Sequence, residues 1–103
     1  MQSKFQKANH IYRIASDIDL EGGTIQIPAN SILDFSDGGK ITNGTVSLNA
    51  TLVLPNCCDV TRFITATITG TYEEGQVLYD AGNKKMKMWN GSAWVNLDGT
   101  ALT

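Results

Sequence analysis

The chain has 103 residues, with 8 Lys and Arg against 10 Asp and Glu, so its formal net charge is −2. That length allows one domain, and so even a charge balance lacks the clustered cations that neutralise phosphates, which excludes a nucleic-acid binder. No apolar run approaches the roughly 20 residues that span a bilayer, so membrane insertion is not expected, and the opening MQSKFQKANH has no apolar secretory stretch.

Residues 1–10 carry positive charge and little apolar content, and they read as an arm outside the core, either disordered or ordered by docking on a larger partner; Lys4, Phe5 and Lys7 are its candidate anchor residues. Apolar and polar residues then alternate in short runs bounded by Gly, Asn, Asp or Pro, the mark of strands. Tyr12, Ile14, Ser16, Ile18 and Leu20 share one parity, so residues 11–20 read as one strand with a buried face. Ile25 and Ile27 follow Gly22-Gly23; Ile32, Leu33 and Phe35 follow Asn30; Val46, Leu48, Leu52 and Leu54 run to Pro55. Cys57 and Cys58 are adjacent, which strains a mutual disulfide and matches no zinc spacing, so they read as reduced thiols at a strand end. Residues 62–72 form the clearest strand, in which Ile64, Ala66 and Ile68 face inward and Thr65, Thr67, Thr69 and Thr71 face water.

The chain also echoes itself. Gly23-Thr24-Ile25-Gln26-Ile27 matches Gly44-Thr45-Val46-Ser47-Leu48 at an offset of 21, and Ile32-Leu33-Asp34-Phe35 is answered by Thr51-Leu52-Val53-Leu54 at an offset of 19. Short strands at such spacing suggest rungs of a parallel β-helix, and the same alternation also permits an antiparallel sandwich. Two rungs bury too little alone. The expectation is therefore a shared core in a homotrimer, with Ile64, Ala66 and Ile68 at its centre.

From residue 73 onward the character changes. Strands at 77–80, 86–89 and 93–97 are separated by turns at 81–84 and Asn90-Gly91, a meander of hairpins, and Asp98-Gly99 reads as a further turn. Trp89 and Trp94 flank the Asn90 turn, so these three residues are candidates for stacking on and hydrogen-bonding a glycan; the structural alternative packs both rings on Tyr79, Met86 and Met88. Lys84, Lys85 and Lys87 form the one basic cluster, and with Glu73, Glu74 and Asp80 they suit a chain-to-chain contact. No carboxylate pair has a separation set by sequence, His10 has no nucleophile motif around it, and no phosphate loop is present. No catalytic, metal or cofactor site is expected.

The stretch 75–99, with Tyr79-Asp80, Lys85, Met88-Trp89-Asn90-Gly91, Ala93-Trp94-Val95 and Asp98-Gly99, resembles the WNG..WV hairpin module of bacteriophage fibre and appendage proteins. Residues 11–54, with GGTIQIPANSILDF and NGTVSLNATLVL, are similar to the opening rungs of pectate-lyase-like β-helix tailspikes. These resemblances imply a non-enzymatic fibre or fibre-attachment protein of a phage virion, on capsid or tail, made in the host bacterial cytoplasm. Its partners would be two further copies, other virion proteins and a host surface polysaccharide. A carbohydrate-binding module and a truncated β-helix depolymerase are the alternatives. The expected organisation is an arm at 1–10, a β-helix-like or sandwich-like strand region at 11–72 and a hairpin module at 73–103, all-β and trimeric.

Overall fold

The computed structural model describes residues 4–56 and 58–97; the expectations for Cys57 and for the Asp98-Gly99 turn lie outside the described residues. The described chain is all-β, with a short 3-10 turn at Val60–Arg62. It winds three times. The first turn carries β1 (Ile11–Arg13), β2 (Ile18–Asp19) and β3 (Thr24–Gln26); the second carries β4 (Ile32–Asp34), β5 (Ile41–Thr42) and the start of β6 (Thr45–Leu54). The end of β6, Ile64 and β7 (Thr67–Tyr72) complete the third.

Each strand pairs in parallel with its equivalent on the next turn. Ile11 meets Ile32, which meets Leu52; Ile18 meets Ile41, which meets Ile64; Thr24 meets Thr45, which meets Thr67. Among the described residues from β1 to β7 every strand pairing is parallel, not the antiparallel pairing that a sandwich requires. Strict register keeps like side chains in columns, since a one-residue slip would turn a whole strand inside out. The columns Ile18–Ile41–Ile64, Ile25–Val46 and Leu33–Val53 are buried and fill the centre of the coil within one chain.

Several expectations are corrected here. The echo between residues 32–35 and 51–54 is offset by 20, not 19: Leu33 lies on Val53, and the small polar Ser31 and Thr51 are buried at the corner, a placement that matching by apolar letters missed. Residues 11–20 are two strands, because the chain bends after Ile14 and leaves Ser16 exposed. The strand expected at 62–72 begins only at Thr67: Asp59 caps the 3-10 turn, Phe63 stacks on Phe35 at 5.5 Å, and Ile64 makes a single bridge to Ile41. Its parity holds, with Ile64 and Ala66 buried and Thr65, Thr67, Thr69 and Thr71 exposed. The N-terminal segment does join the core. Phe5 is 2% exposed and packs on Tyr12 at 5.0 Å, while the Tyr12 hydroxyl accepts from Lys7 N–H and donates to Lys7 C=O. One aromatic side chain is enough to plug the open end of a narrow coil, so low average hydrophobicity misjudged the segment.

The corners explain the small residues. Asn9 and Asn30 occupy equivalent corner positions in the left-handed region, which Asn tolerates better than most residues, and Ala50 repeats that conformation on the third turn (φ 49°). Gly70 (φ +84°) opposes Leu48 where β6 and β7 shift register, and a Cβ there would lie 2.0 Å from the Leu48 carbonyl oxygen. The close approach, as much as the dihedral, demands glycine.

β8 (Val77–Asp80), β9 (Lys85–Trp89) and β10 (Trp94–Asn96) form the antiparallel meander expected, in the order β10-β9-β8. Gln76 joins the two regions. Its side chain is fully buried; Oε1 accepts from Val53 N–H at 2.6 Å and Nε2 donates to Val53 C=O at 2.9 Å and to Asn56 Oδ1. The amide thus stands where the next turn's backbone would pair with the third, and closes that end of the coil.

Candidate functional site

A cleft of about 290 Å³ lies where the 3-10 turn faces the hairpin sheet, lined by Asp59, Thr61, Tyr79, Asp80, Lys87 and Trp94 above a floor that includes Tyr72 and Leu78. The carboxylate of Asp59 accepts from both the N–H and the hydroxyl of Thr61, which holds it below the usual carboxylate range. Asp80 is lowered by the Asn83 side-chain amide, with further help from the Asn83 and Gly82 N–H groups and from Lys87. Both carboxyls are therefore ionised acceptors. Neither has the raised pKa of a group that protonates a leaving oxygen.

The wall of the cleft is an aromatic cluster. Trp89 and Trp94, opposite each other on β9 and β10, meet edge-to-face at 5.3 Å with 71° between planes. Tyr72 from the coil packs against Trp94 at 4.9 Å and Trp89 at 6.2 Å, and burial pushes its hydroxyl up to about 12. Lys87 places its ammonium 4.4 Å over the Trp94 ring. The partner of the tryptophans is thus Tyr72, not Tyr79, which is exposed at the cleft rim. Trp89 Nε1 is buried without a hydrogen-bond partner among the described residues.

Of the three candidate glycan residues, the structure brings Trp94 alone into the cleft. Trp89 is packed into the cluster, and Asn90 is a turn residue whose Oδ1 accepts from Ser92 and Ala93 N–H. The two rings are not coplanar, so they form no flat platform. Lys87 turns onto Trp94 of its own chain, while Lys84 and Lys85 stay exposed. Ile64 and Ala66 lie inside the single-chain core, and Ile68 packs against it. Of the anchor residues, Phe5 is interior, and Lys4 and Lys7 are exposed. Sequence reasoning missed Gln76 and Tyr72; a Gln just after the last threonine row, with no apolar partner pattern, was the one available signal. No group of three or more metal-ligating side chains occurs among the described residues.

Comparison with protein-family models, with curated proteins and with solved structures found no match.

Proposed function

We propose that this chain is a non-enzymatic structural and adhesive module of a bacteriophage fibre or fibre attachment, in which the three stacked turns are the first rungs of a β-helix and the hairpin sheet is its end piece. The observation that carries this reading is the stacking of the coil: successive turns pair in parallel register along Ile18–Ile41–Ile64 and Thr24–Thr45–Thr67, and Gln76 caps the Val53 main chain ahead of the hairpins. A coil built by stacking turns suits a segment of an elongated object, and its extents of 39 × 24 × 23 Å are already elongated. The phage assignment and the homotrimer rest on the resemblance of the hairpin and rung motifs. A trimer would join through outer surfaces, since the chain fills its own core.

A second reading, carbohydrate recognition, is favoured by the cleft. Ionised Asp59 and Asp80 offer acceptors for hydroxyls, Lys87 offers donors, and Trp94 and Tyr79 supply apolar walls. Sedimentation equilibrium of the full chain at several concentrations, with gold-labelled antibody on particles from the source culture, tests the leading reading. A threefold mass and gold on fibres are expected; a monomer at all concentrations overturns the trimer, and unlabelled particles overturn the virion role.

A further inference from the structure

The first turn of the coil offers a binding edge. β1 pairs with β4 and has no strand on its other side among the described residues. In that pairing Ile32 N–H donates to His10 C=O and Ile14 N–H donates to Asp34 C=O, so the even-numbered residues face β4. By the alternation of a parallel ladder, the main-chain groups of Ile11 and Arg13 point outward. Ile11 is 53% exposed, unusual for its side chain, and a groove of about 260 Å³ runs beside this edge. Its charged and titratable lining is Lys4, His10, Tyr12 and Arg13, with no carboxylate. Asp34 on β4 lies opposite Arg13 in register and is itself held by Ser36, and Asp17 sits in the chain between the lining residues Ser16 and Ile18.

We infer that the outer edge of β1 captures an extended acidic segment of a partner protein, which adds to the coil as a further strand. Main-chain bonds to Ile11 and Arg13 give the register, Ile11 gives an apolar contact, and Lys4 and Arg13 select carboxylates. Gln76 already holds the Val53 main-chain groups at the other end, so a second copy docked head-to-tail would have to pair through β7, and a concentration-dependent dimer would report it. Two copies meeting edge to edge would bring two basic grooves together. The inference concerns the partner's chemistry and stands whether or not the chain belongs to a particle.

The test is fluorescence polarisation of the full chain with a labelled peptide of alternating Glu and Val, against the same peptide with Lys for Glu. The acidic peptide should bind at least ~10-fold more tightly. Raising ionic strength from about 0.01 M to about 1 M, which shrinks the Debye length from ~30 to ~3 Å, should abolish most of the difference. Arg13→Glu and Lys4→Glu should each weaken binding ~10-fold. Ile11→Pro, which removes an outward N–H and spares the β4 ladder, should do the same with an unchanged thermal midpoint. If Ile11→Pro lowers the midpoint, Ile11→Asp, which removes the apolar contact and adds a repelling charge, serves as the edge variant and should weaken binding ~10-fold. No binding at about 1 mM, equal binding of both peptides, or binding that survives the charge reversals overturns the inference. So does a concentration-dependent dimer lost in Ile11→Lys, which would give the edge to a second copy.

Discussion

The coil and the hairpin sheet are both β-structure, yet they are held together by opposite means. In the coil every strand pairs with one 20 to 23 residues away, and the side chains gather into a continuous apolar centre that includes Phe5, Phe35 and the Ile18–Ile41–Ile64 column. In the hairpin sheet the pairings are local and antiparallel, and only Leu78 and Val95 are buried apolar residues. The difference teaches that the sheet depends on the coil. A three-stranded meander with two buried aliphatic side chains is marginal in water, and Tyr72, lent by the last strand of the coil, completes its aromatic core.

The comparison breaks first at the coil's centre. Ile64 is 1% exposed, so Ile64→Asp places an unpaired charge where no partner exists and should cost more than ~4 kcal/mol, unfolding both regions in circular dichroism. Thr65→Asp, one residue away on the exposed face, should stay within ~0.5 kcal/mol. Equal effects would mean the inward face is misassigned. Tyr72→Ala should separate the regions: a loss of about 3 kcal/mol, with amide exchange accelerating in β8–β10 more than in β1–β6. Uniform acceleration would show one cooperative unit instead.

Tyr72 also gives that dependence a pH signature. Its hydroxyl ionises near 10 in the unfolded chain and at about 12 in the fold, so the stabilisation is complete below pH 10 and is lost as pH rises through 12. The thermal midpoint should fall between those values, and Tyr72→Phe should flatten that fall. A wild-type slope kept by Tyr72→Phe would place the titration elsewhere.

How far the sequence reveals each region follows from the same contrast. The Gly23 and Gly44 echo yields the correct register of β3 on β6, because a tight corner and a period-2 strand repeat together. The neighbouring echo fails by one residue, because Ser31 and Thr51 are buried through main-chain partners: the Ser31 hydroxyl donates to Lys7 C=O, and the Thr51 hydroxyl accepts from Asn49 N–H. Alternation cannot see such satisfaction. Hairpin limits are legible to within a residue, since local turn chemistry at 81–84 and at Asn90 sets them. The cleft is not legible, because it joins Asp59 to Asp80 and Lys87 through tertiary packing alone.

The junction is the next point of attack. Gln76→Ala leaves the N–H and C=O of Val53 buried without partners, at a cost of about 1–3 kcal/mol. Gln76→Glu should be nearly as harmful, since a carboxylate accepts from Val53 N–H but cannot donate to its C=O. Denaturant midpoints check both, and full tolerance of either would remove Gln76 as the closure of the coil.

The smallest effect sharpens the account of the corners. Asn9, Asn30 and Ala50 hold the same corner in successive turns at φ of 55°, 57° and 49°, and a Cβ without a local polar group is less suited to that conformation than Asn. Ala50 N–H donates to Thr71 Oγ1, a bond that a side-chain change at residue 50 does not touch. Ala50→Asn should therefore stabilise by ~0.5–1 kcal/mol, raising the midpoint of a domain this size by about 2–8 °C. The reverse change on the middle turn, Asn30→Ala, should lower it by a similar amount. A midpoint that moves the same way in both variants would mean that packing at the corner, rather than left-handed backbone strain, decides which residue each turn uses.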